Sequence, residues 1–317
     1  MFDRQYNWIC MSSLINTPVY ILNNVDIHNL SKIKKTYFLL LGVIYSYIEK
    51  IFKDSIYCFF INILPFSVTK AYFKDGFYYL KDSYGEFYFT NKRFTRMVSG
   101  IEAFSEHLAR AYLLHNVEFN ENDTVIDCGS NVGELIPYFY KKHPNLNYIA
   151  FEPDIEIYKA LEKNFLFNNG SIFQVGLSDK DQKMNLYVDS TSADTSLEET
   201  DSNEVYEIDV KALDSFDFDD VKLIKIDGEG HEMKILQGAR KTLAKTKFVS
   251  VDHSAEKGLN KSKTTPEVFT ILFEEGFVPI FTSEYRDITL FKNKKIIKWT
   301  IKRLHIFLEE AGKKRLN

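Results

Sequence analysis

The stretch that decides the fold is NDTVIDCGSNVGELIPYFYKKHPNLNYIAFEPD, which runs from Asn122 to Asp154. Its first apolar run leads into a turn that carries Gly129 and Gly133, and a helical pattern then leads into a second apolar run that ends at Glu152. A strand, a crossover helix and a second strand form a βαβ unit, in which the two strands lie parallel in one sheet. The stretch therefore predicts the start of a parallel α/β sheet.

The same alternation continues towards the end of the chain. Two amphipathic helical patterns, IEIYKALEKNFLFNN and HEMKILQGARKTLAKT, separate further β-rich runs, which are SIFQVGL, KLIKID and FVSVD. This alternation predicts a mostly parallel sheet with helices on both faces, and GFVPIFTS with DITLFKN predicts a closing hairpin. The acidic segment DSTSADTSLEETDSNEV has no apolar periodicity and is predicted to be a surface loop.

The chain before Asp123 is rich in aromatic residues and has a different pattern. Two apolar runs follow Thr36, each shorter than the roughly 20 residues that a spanning helix needs, so we expect buried helices or a hairpin at a membrane surface. The segment AYFKDGFYYLKDSYGEFYFTN alternates aromatic and polar residues around two turns and predicts short antiparallel strands. A helix is predicted to start near Ser99, with Glu102 three residues on.

The composition excludes several classes of protein. The 317 residues carry a net charge of -4, so no overall basic field favours nucleic acid as a partner. Cys10, Cys58 and Cys128 show no CxxC or Cys/His spacing, which argues against a disulfide frame or a structural zinc site. These features favour a cytoplasmic protein.

The turn after the first strand restricts the ligand. A dinucleotide fingerprint needs GxGxxG, in which the middle glycine lets the backbone approach a pyrophosphate. Here Asn131 stands at that position, between Gly129 and Gly133. A ligand without a pyrophosphate is therefore expected, and an NAD-dependent dehydrogenase is disfavoured.

Three features of this βαβ unit predict the ligand. Asp127 places a negative charge beside the turn, which suits an ammonium or sulfonium group. The helix start after Gly133 offers N–H groups to a carboxylate, and Glu152 ends the second strand where an acid accepts ribose hydroxyls. An amino-acid carboxylate, a cationic centre and a ribose together describe S-adenosylmethionine.

On these residues the chain resembles the FkbM-type methyltransferases, a family of S-adenosylmethionine-dependent enzymes that mostly methylate hydroxyl groups. The resemblance covers about Phe94 to Asn293 and lies in VIDCGSNVGE, AFEPD, VGLSD, LDSF and above all LIKIDGEGHEMKILQGA. It implies the class I methyltransferase fold, a Rossmann-like seven-stranded sheet in the order 3-2-1-4-5-7-6 whose last strand alone is antiparallel. We therefore expect an accessory region of helices and hairpins at 1–93, a methyltransferase domain at 94–293 and a basic amphipathic helix at 294–317.

The resemblance also implies a set of cofactor-binding residues. Glu152 would bind the ribose, and Leu177, Ser178 and Asp179 would lie beside the adenine. The methionine portion would be held by Asp127, Gly129, Ser130, Asn131, Gly133 and Glu134. Two residues depart from the family pattern, since Gly228 stands where valine is common and Ser130 where alanine is common.

The chemistry is expected at the carboxyl ends of the fourth and fifth strands, where doubly wound sheets bind their ligands. Asp227 and Glu229 would face the transferred methyl group. His253 is the preferred general base because its ordinary pKa near 6.5 suits proton removal near neutrality, and Asp252 would orient the ring or bind the acceptor. A divalent ion such as Mg²⁺ on these acids and His253 is a competing, less favoured expectation. His231 is interpreted as polar surface.

The sequence leaves more than one function open. The preferred expectation is O-methylation of a hydroxyl on a sugar, glycan or related small molecule. The alternative is a catalytically silent methyltransferase-fold module that binds a glycan or a partner protein. The apolar N-terminal hairpin and the basic tail would either contact an anionic membrane at its inner face, or pack against the catalytic domain or in a homodimer contact.

Overall fold

In the computed structural model of the protein, the described residues are 31–63, 67–189, 194–199, 204–258, 262–283 and 286–295. The chain divides into two compact units. The N-terminal unit comprises Met1–Leu108, Asn131–Tyr138 and Glu156–Leu166, and the sheet unit comprises Ala109–Ser130, Phe139–Ile155 and Phe167–Asn317. The sequence-based boundaries at 93/94 and 293/294 stay a prediction.

Within the described ranges, the α-helices are α1 (Lys32–Ile51), α2 (Asp54–Ile63), α3 (Ile101–Ala111), α4 (Ile136–Lys142), α5 (Ile155–Asn164), α6 (Glu232–Gln237), α7 (Arg240–Ala244) and α8 (Thr265–Glu274). Short 3₁₀ helices cover Lys92–Met97, Leu114–Asn116 and Leu213–Phe216.

The strands in the same ranges are β1 (Lys70–Lys74), β2 (Phe77–Lys81), β3 (Glu86–Phe89), β4 (Thr124–Cys128), β5 (Asn147–Phe151), β6 (Ser171–Phe173), β7 (Gly176–Ser178), β8 (Gln182–Asp189), β9 (Asp194–Ser196), β10 (Glu204–Ala212), β11 (Val221–Ile226), β12 (Thr246–Asp252), β13 (Ala255–Lys257), β14 (Ser262–Lys263), β15 (Phe277–Thr282) and β16 (Ile288–Asn293).

The main sheet has seven strands in the order β6-β5-β4-β11-β12-β16-β15. Counted along the chain, this is the order 3-2-1-4-5-7-6. The pairs from β6 to β12 are parallel, and β16 runs antiparallel to both β12 and β15. The structure thus confirms the class I methyltransferase fold, including the closing hairpin.

Apolar side chains cover both faces of this sheet. On one face, Ile126 and Ile224 pack with Ile235 of α6, Leu243 of α7 and Leu272 of α8. On the other face, the ring of Phe139 in α4 lies 5.6 Å from the ring of Tyr148 in β5. Because successive strand residues point to opposite faces, the side chains of Asp127 and Lys225 lie on the Tyr148 side.

A second sheet, in the order β7-β10-β8-β9, corrects two sequence-based expectations. The run SIFQVGL was predicted as one strand, but β6 ends at Phe173 in the main sheet and β7 pairs in parallel with β10. The acidic segment was predicted as a loop, but Asp194–Ser196 forms β9 and Glu204 begins β10. The long β8–β10 ladder also went unpredicted, although its strands alternate apolar and polar residues.

The helical pattern after β11 is divided in two. It was predicted as one helix, but α6 ends at Gln237 and α7 begins at Arg240. A Cβ at Gly238 would lie 2.0 Å from the Ser178 carbonyl oxygen, so only glycine allows the chain to pass this close to β7.

The N-terminal unit contains the predicted helices and antiparallel strands. Asp75 and Gly76 have φ of 53° and 81°, as a tight hairpin turn between β1 and β2 requires. One core joins α1 and α2 to the strands through Tyr45, Tyr57 and Leu80, among others. At 20 residues α1 is longer than the sequence suggested, yet no helix in the described residues is long and apolar enough to span a membrane.

Two remaining expectations concern the cysteines and the tail. Cys58 and Cys128 are buried free thiols, and Cys10 lies outside the described residues. The basic helix predicted for 294–317 lies outside them too, apart from its first two residues.

Candidate active site

The carboxyl ends of four neighbouring strands bring the predicted acids to one edge of the main sheet. Asp127 lies at the end of β4, Glu152 follows β5, Asp227 follows β11 and Asp252 ends β12. Asp127, Glu152 and Asp252 are buried, and the Asp227 side chain is 20% exposed. This is the edge at which doubly wound sheets bind ligands.

Lys225, which the sequence analysis did not select, links two of these acids. Its Nζ lies 3.0 Å from Asp127 Oδ1 and 4.0 Å from Asp227 Oδ2, and donates to the Gly129 carbonyl at 2.7 Å. Burial opposes its charge, but the Asp127 and Asp227 carboxylates outweigh burial and raise the pKa of Lys225. The signal for this residue was a lysine inside the apolar run KLIKI, since a buried lysine needs partners.

Asp127 is held from its other side by Tyr148, whose hydroxyl donates to Asp127 Oδ2. Burial, and then the Asp127 carboxylate, raise the pKa of Tyr148 well above its usual value. Asp127 is therefore fixed between a phenol and an ammonium group of the protein. Its predicted attraction for a ligand cation stays a prediction, and Lys225 weakens that attraction.

The glycine-bearing turn is shaped by its own packing. Gly129 has φ of 74°, and a Cβ there would lie 2.0 Å from the Asp227 carbonyl oxygen. Ser130 is buried and its amide donates to the Phe151 carbonyl at 3.0 Å. The turn is thereby tied to the ends of β5 and β11.

The rest of the turn belongs to the N-terminal unit. Asn131 has φ of 51°, a left-handed value that asparagine tolerates better than most residues. A Cβ at Gly133, where φ is 86°, would lie 2.4 Å from Ile136 Cδ1 and 3.0 Å from Leu161 Cδ1. Glu134 is half-buried before the start of α4. These glycines are thus required by backbone conformation and packing.

Glu152 anchors the loop that follows β5. Its Oε1 accepts the Asp154 amide at 3.0 Å, and Asp154 Oδ2 accepts the Tyr206 hydroxyl at 2.7 Å. Burial and the Asp154 hydrogen bond raise the pKa of Tyr206. Tyr206 was missed because β10, which carries it, was not predicted.

Residues 177–179 form a connected polar group with His231. Leu177 and Ser178 are buried, and Ser178 Oγ lies 3.0 Å from His231 Nε2. His231 Nδ1 lies 2.7 Å from Glu198 Oε1, and Asp179 pairs with Lys234 at 3.3 Å. His231 is 3% exposed, so its interpretation as polar surface was wrong.

Asp227 and Asp252 are connected through Tyr112 and Arg286. The Tyr112 hydroxyl donates to Asp227 Oδ2, and Arg286 Nη2 lies 2.7 Å from Asp252 Oδ2. The Tyr112 ring lies near two cations, with its centroid 4.9 Å from Lys225 Nζ and 5.7 Å from the Arg286 guanidinium carbon. Burial, and then Asp227, raise the pKa of Asp252. Tyr112 and Arg286 were also missed as site residues, because they come from distant parts of the sequence.

The turn after β11 is held by Glu232. Its Oε1 accepts the amides of Gly228 and Gly230 at 3.0 and 2.9 Å, and its Oε2 accepts the Thr264 hydroxyl at 2.9 Å. Burial raises the pKa of Glu232 to about 7. Glu229, with φ of 49°, accepts the Ser196 hydroxyl on its carbonyl oxygen.

His253 lies among threonines. Its Nδ1 is 2.8 Å from Thr265 Oγ1 and its Nε2 is 3.0 Å from Thr289 Oγ1, and the residue is 4% exposed. Burial lowers its pKa. Both ring nitrogens therefore have protein partners, and the predicted role as general base stays a prediction.

The described residues contain no group of three or more His, Cys, Asp or Glu side chains arranged to hold a metal ion. Three of the acids at the sheet edge, Asp127, Asp227 and Asp252, are paired with Lys225, Tyr112, Tyr148 and Arg286.

Comparison with known proteins shows what part of the chain resembles. The methyltransferase FkbM domain matches residues 127–279. The 31-O-demethyl-FK506 methyltransferase FkbM of Streptomyces tacrolimicus is 34% identical over 86 residues, 26% of this chain and 33% of that protein. Methyltransferase 1 of Beauveria bassiana (strain ARSEF 2860) is 28% identical over 149 residues, 38% of this chain and 59% of that protein. The chain thus spans about a third of the length of the Streptomyces relative and about three fifths of the length of the Beauveria relative.

Among solved structures, methyltransferase FkbM from Methylobacillus flagellatus KT is similar, with a TM-score of 0.40 and 18% identity over 64% of this chain and 55% of that one. The fold assignment itself follows from the strand order described above. Residues 127–279 of this chain thus match the methyltransferase FkbM domain, and part of the chain is similar to a protein named FkbM.

Proposed function

We propose that this protein transfers a methyl group from S-adenosylmethionine to a hydroxyl of a sugar, glycan or related small molecule. The observation that carries the proposal is the row of four acids at the carboxyl edge of the sheet, Asp127, Glu152, Asp227 and Asp252. Among these four, Asp227 alone has a side chain that is more than marginally exposed. The FkbM domain of residues 127–279 supports methyl transfer as the reaction.

The residues around β4 and β5 suit this cofactor. The charges of Asp127 and Lys225 cancel each other. Together with Asp227, the three side chains carry one net negative charge beside the glycine-bearing turn. A negative edge favours a sulfonium cofactor over a diphosphate. Glu152, at the end of β5, is the acid that would accept ribose hydroxyls. When bound, S-adenosylmethionine supplies an electrophilic methyl group on a positively charged sulfur.

The acceptor hydroxyl must be oriented and must lose its proton. We assign both tasks to Asp227, because its side chain reaches solvent and Tyr112 and Lys225 fix its position. His253 is less suited, since its nitrogens contact Thr265 and Thr289 and burial lowers its pKa. Asp252 is engaged by Arg286 and by Ser254, whose hydroxyl donates to it at 2.5 Å.

Oxygen is favoured as the accepting atom by the Streptomyces relative, whose name describes a 31-O-demethyl substrate. Among small hydroxyl compounds, we propose a glycan as the acceptor. This choice rests on the polar character of the residues at the sheet edge, which would meet hydroxyl groups rather than an apolar acceptor.

The test is incubation of the purified protein with isotope-labelled S-adenosylmethionine and a panel of mono- and oligosaccharides, phenols and amines, followed by mass spectrometry. Label on a saccharide hydroxyl, absent with Asp227→Asn, is the expected result. Label only on amines or phenols would contradict the acceptor class. A protein that binds the panel but transfers no label would be the silent binding module.

A further inference from the structure

Helix α1 presents an apolar stripe to solvent. Its members lie alternately four and three residues apart, a spacing that keeps them on one side of a helix. They are between 46% and 83% exposed: Ile33, Tyr37, Leu40, Ile44, Tyr47 and Ile51. At about 1.5 Å per residue the stripe is roughly 27 Å long.

The side of α1 next to the stripe is fixed to the N-terminal unit. Leu41, Tyr45 and Ile48 are buried in its core, and the Tyr45 hydroxyl lies 2.8 Å from the Tyr57 hydroxyl. At the end of the helix, Lys92 Nζ donates to the Phe52 carbonyl at 2.9 Å. The helix cannot rotate to bury its stripe without losing these contacts.

Helix α2 continues the exposed apolar surface. Ile56, Phe59 and Ile63 are each about 60% exposed, while Tyr57 and Ile61 of the same helix are buried. Monomeric soluble proteins rarely expose apolar patches beyond a few hundred Å², and larger ones mark interaction sites. The outer surface of α1 and α2 is therefore a candidate interaction surface.

The charges beside the stripe favour a membrane surface as the partner. Helix α1 contains four lysines and one acid, Glu49, and Lys32, Lys50 and Lys53 are exposed. Lysines next to an apolar surface are attracted to anionic lipid headgroups, and tyrosines such as Tyr37 and Tyr47 suit the boundary between headgroups and acyl chains.

A second copy of the chain fits less well, although the 4-3 spacing also occurs in coiled coils. Helices that pair in this way place opposite charges beside their seam. Here Thr36, Val43 and Lys50 flank the stripe on one side, and none of them is an acid that could pair with a lysine of a second copy. We propose that α1 and α2 lie on an anionic membrane surface with the stripe immersed in it.

Co-sedimentation with vesicles tests the proposal, using phosphatidylcholine vesicles with and without phosphatidylglycerol. The full chain should bind the anionic vesicles more tightly than the neutral ones. The double variant Leu40→Asp/Tyr47→Asp should bind at least tenfold more weakly. Phe273→Asp, a control on α8 at a 52% exposed position, should bind like the wild type.

A second variant covers the case in which the first fails to fold, as judged by circular dichroism. Lys50→Glu/Lys53→Glu should lose binding to anionic vesicles and retain that to neutral ones. Equal sedimentation of wild type and folded variants, or no binding by the wild type, would overturn the proposal. So would a wild-type dimer in light scattering that Leu40→Asp/Tyr47→Asp converts to monomer, because a second copy would then cover the stripe.

Discussion

Lys225 Nζ lies 3.0 Å from Asp127 Oδ1, and the two residues are direct partners in the register of β11 and β4. This buried pair joins the strand before the glycine turn to the strand before Asp227. A buried ion pair is costly to break, because removal of one partner leaves the other as an uncompensated charge. The stability of the sheet and the position of both acids therefore depend on one lysine.

Replacement of this lysine should destabilise the protein strongly. We expect Lys225→Met to lower the free energy of unfolding by about 3–5 kcal/mol, because Asp127 and Asp227 lose their buried cation. Urea denaturation measures the change. The matched control is Lys183→Met, which breaks an exposed pair with Glu207 and should leave the urea midpoint unchanged. An equal loss in both variants would contradict a special role for Lys225.

Gly129 should be intolerant of alanine for a reason beyond its φ. Its Cβ would meet the Asp227 carbonyl at 2.0 Å, whereas a Cβ at Gly76, with a similar positive φ, would meet nothing within 4 Å. Both alanine variants pay the strain of a left-handed backbone, roughly 1–2 kcal/mol. Gly129→Ala should lose at least ~2 kcal/mol more than Gly76→Ala in urea denaturation. Similar losses would show that the turn can move away from β11.

Glu232 should make stability depend on pH. Its pKa of about 7 in the folded protein lies above the ordinary value of 4.5, so the folded state binds its proton more tightly. The contribution of Glu232 to the free energy of unfolding is complete below about pH 4.5. It is lost as the pH rises through about 7, which lowers that free energy by about 3 kcal/mol. Glu232→Gln cannot titrate. The difference in unfolding free energy between wild type and variant should therefore move in favour of the variant from pH 5 to pH 8, and a constant difference would refute the assignment.

Asp227 and His253 can be separated by turnover. If Asp227 removes the proton, Asp227→Asn should lower kcat by roughly 100-fold or more, with little change in the KM for S-adenosylmethionine. His253→Gln should have a smaller effect, since it replaces a buried ring that contacts two threonines. The kcat values of both variants on one acceptor decide the question, and the reverse order would return the role to His253.

The sequence predicted those parts of the fold that depend on local pattern. The βαβ unit around Gly129, the closing hairpin and the Asp75–Gly76 turn all follow from periodicity and turn residues, and the structure contains them. The strand order came from the family resemblance and is confirmed. The β8–β10 ladder escaped prediction although both strands alternate apolar and polar residues, and these strands pair across the acidic segment that was predicted as a loop.

The site was predicted only in part, for a physical reason. Acids at strand ends can be located from the sequence, because strands end where apolar runs end. Their partners cannot, since Tyr112 and Arg286 come from segments that meet Asp227 and Asp252 only in the folded sheet. The burial of His231 and His253 likewise depends on long-range packing.

The central claim is that this sheet edge binds S-adenosylmethionine, and calorimetric titration of the full chain tests it most directly. The wild type should bind S-adenosylmethionine and S-adenosylhomocysteine, and Glu152→Ala should bind both more weakly by about 1–3 kcal/mol, because the ribose hydroxyls lose a buried acceptor. Tyr206→Phe removes only the hydroxyl that donates to the neighbouring Asp154, so this variant should bind with an affinity closer to that of the wild type. Absence of binding by a folded wild type, or tight binding of NAD in its place, would contradict the account.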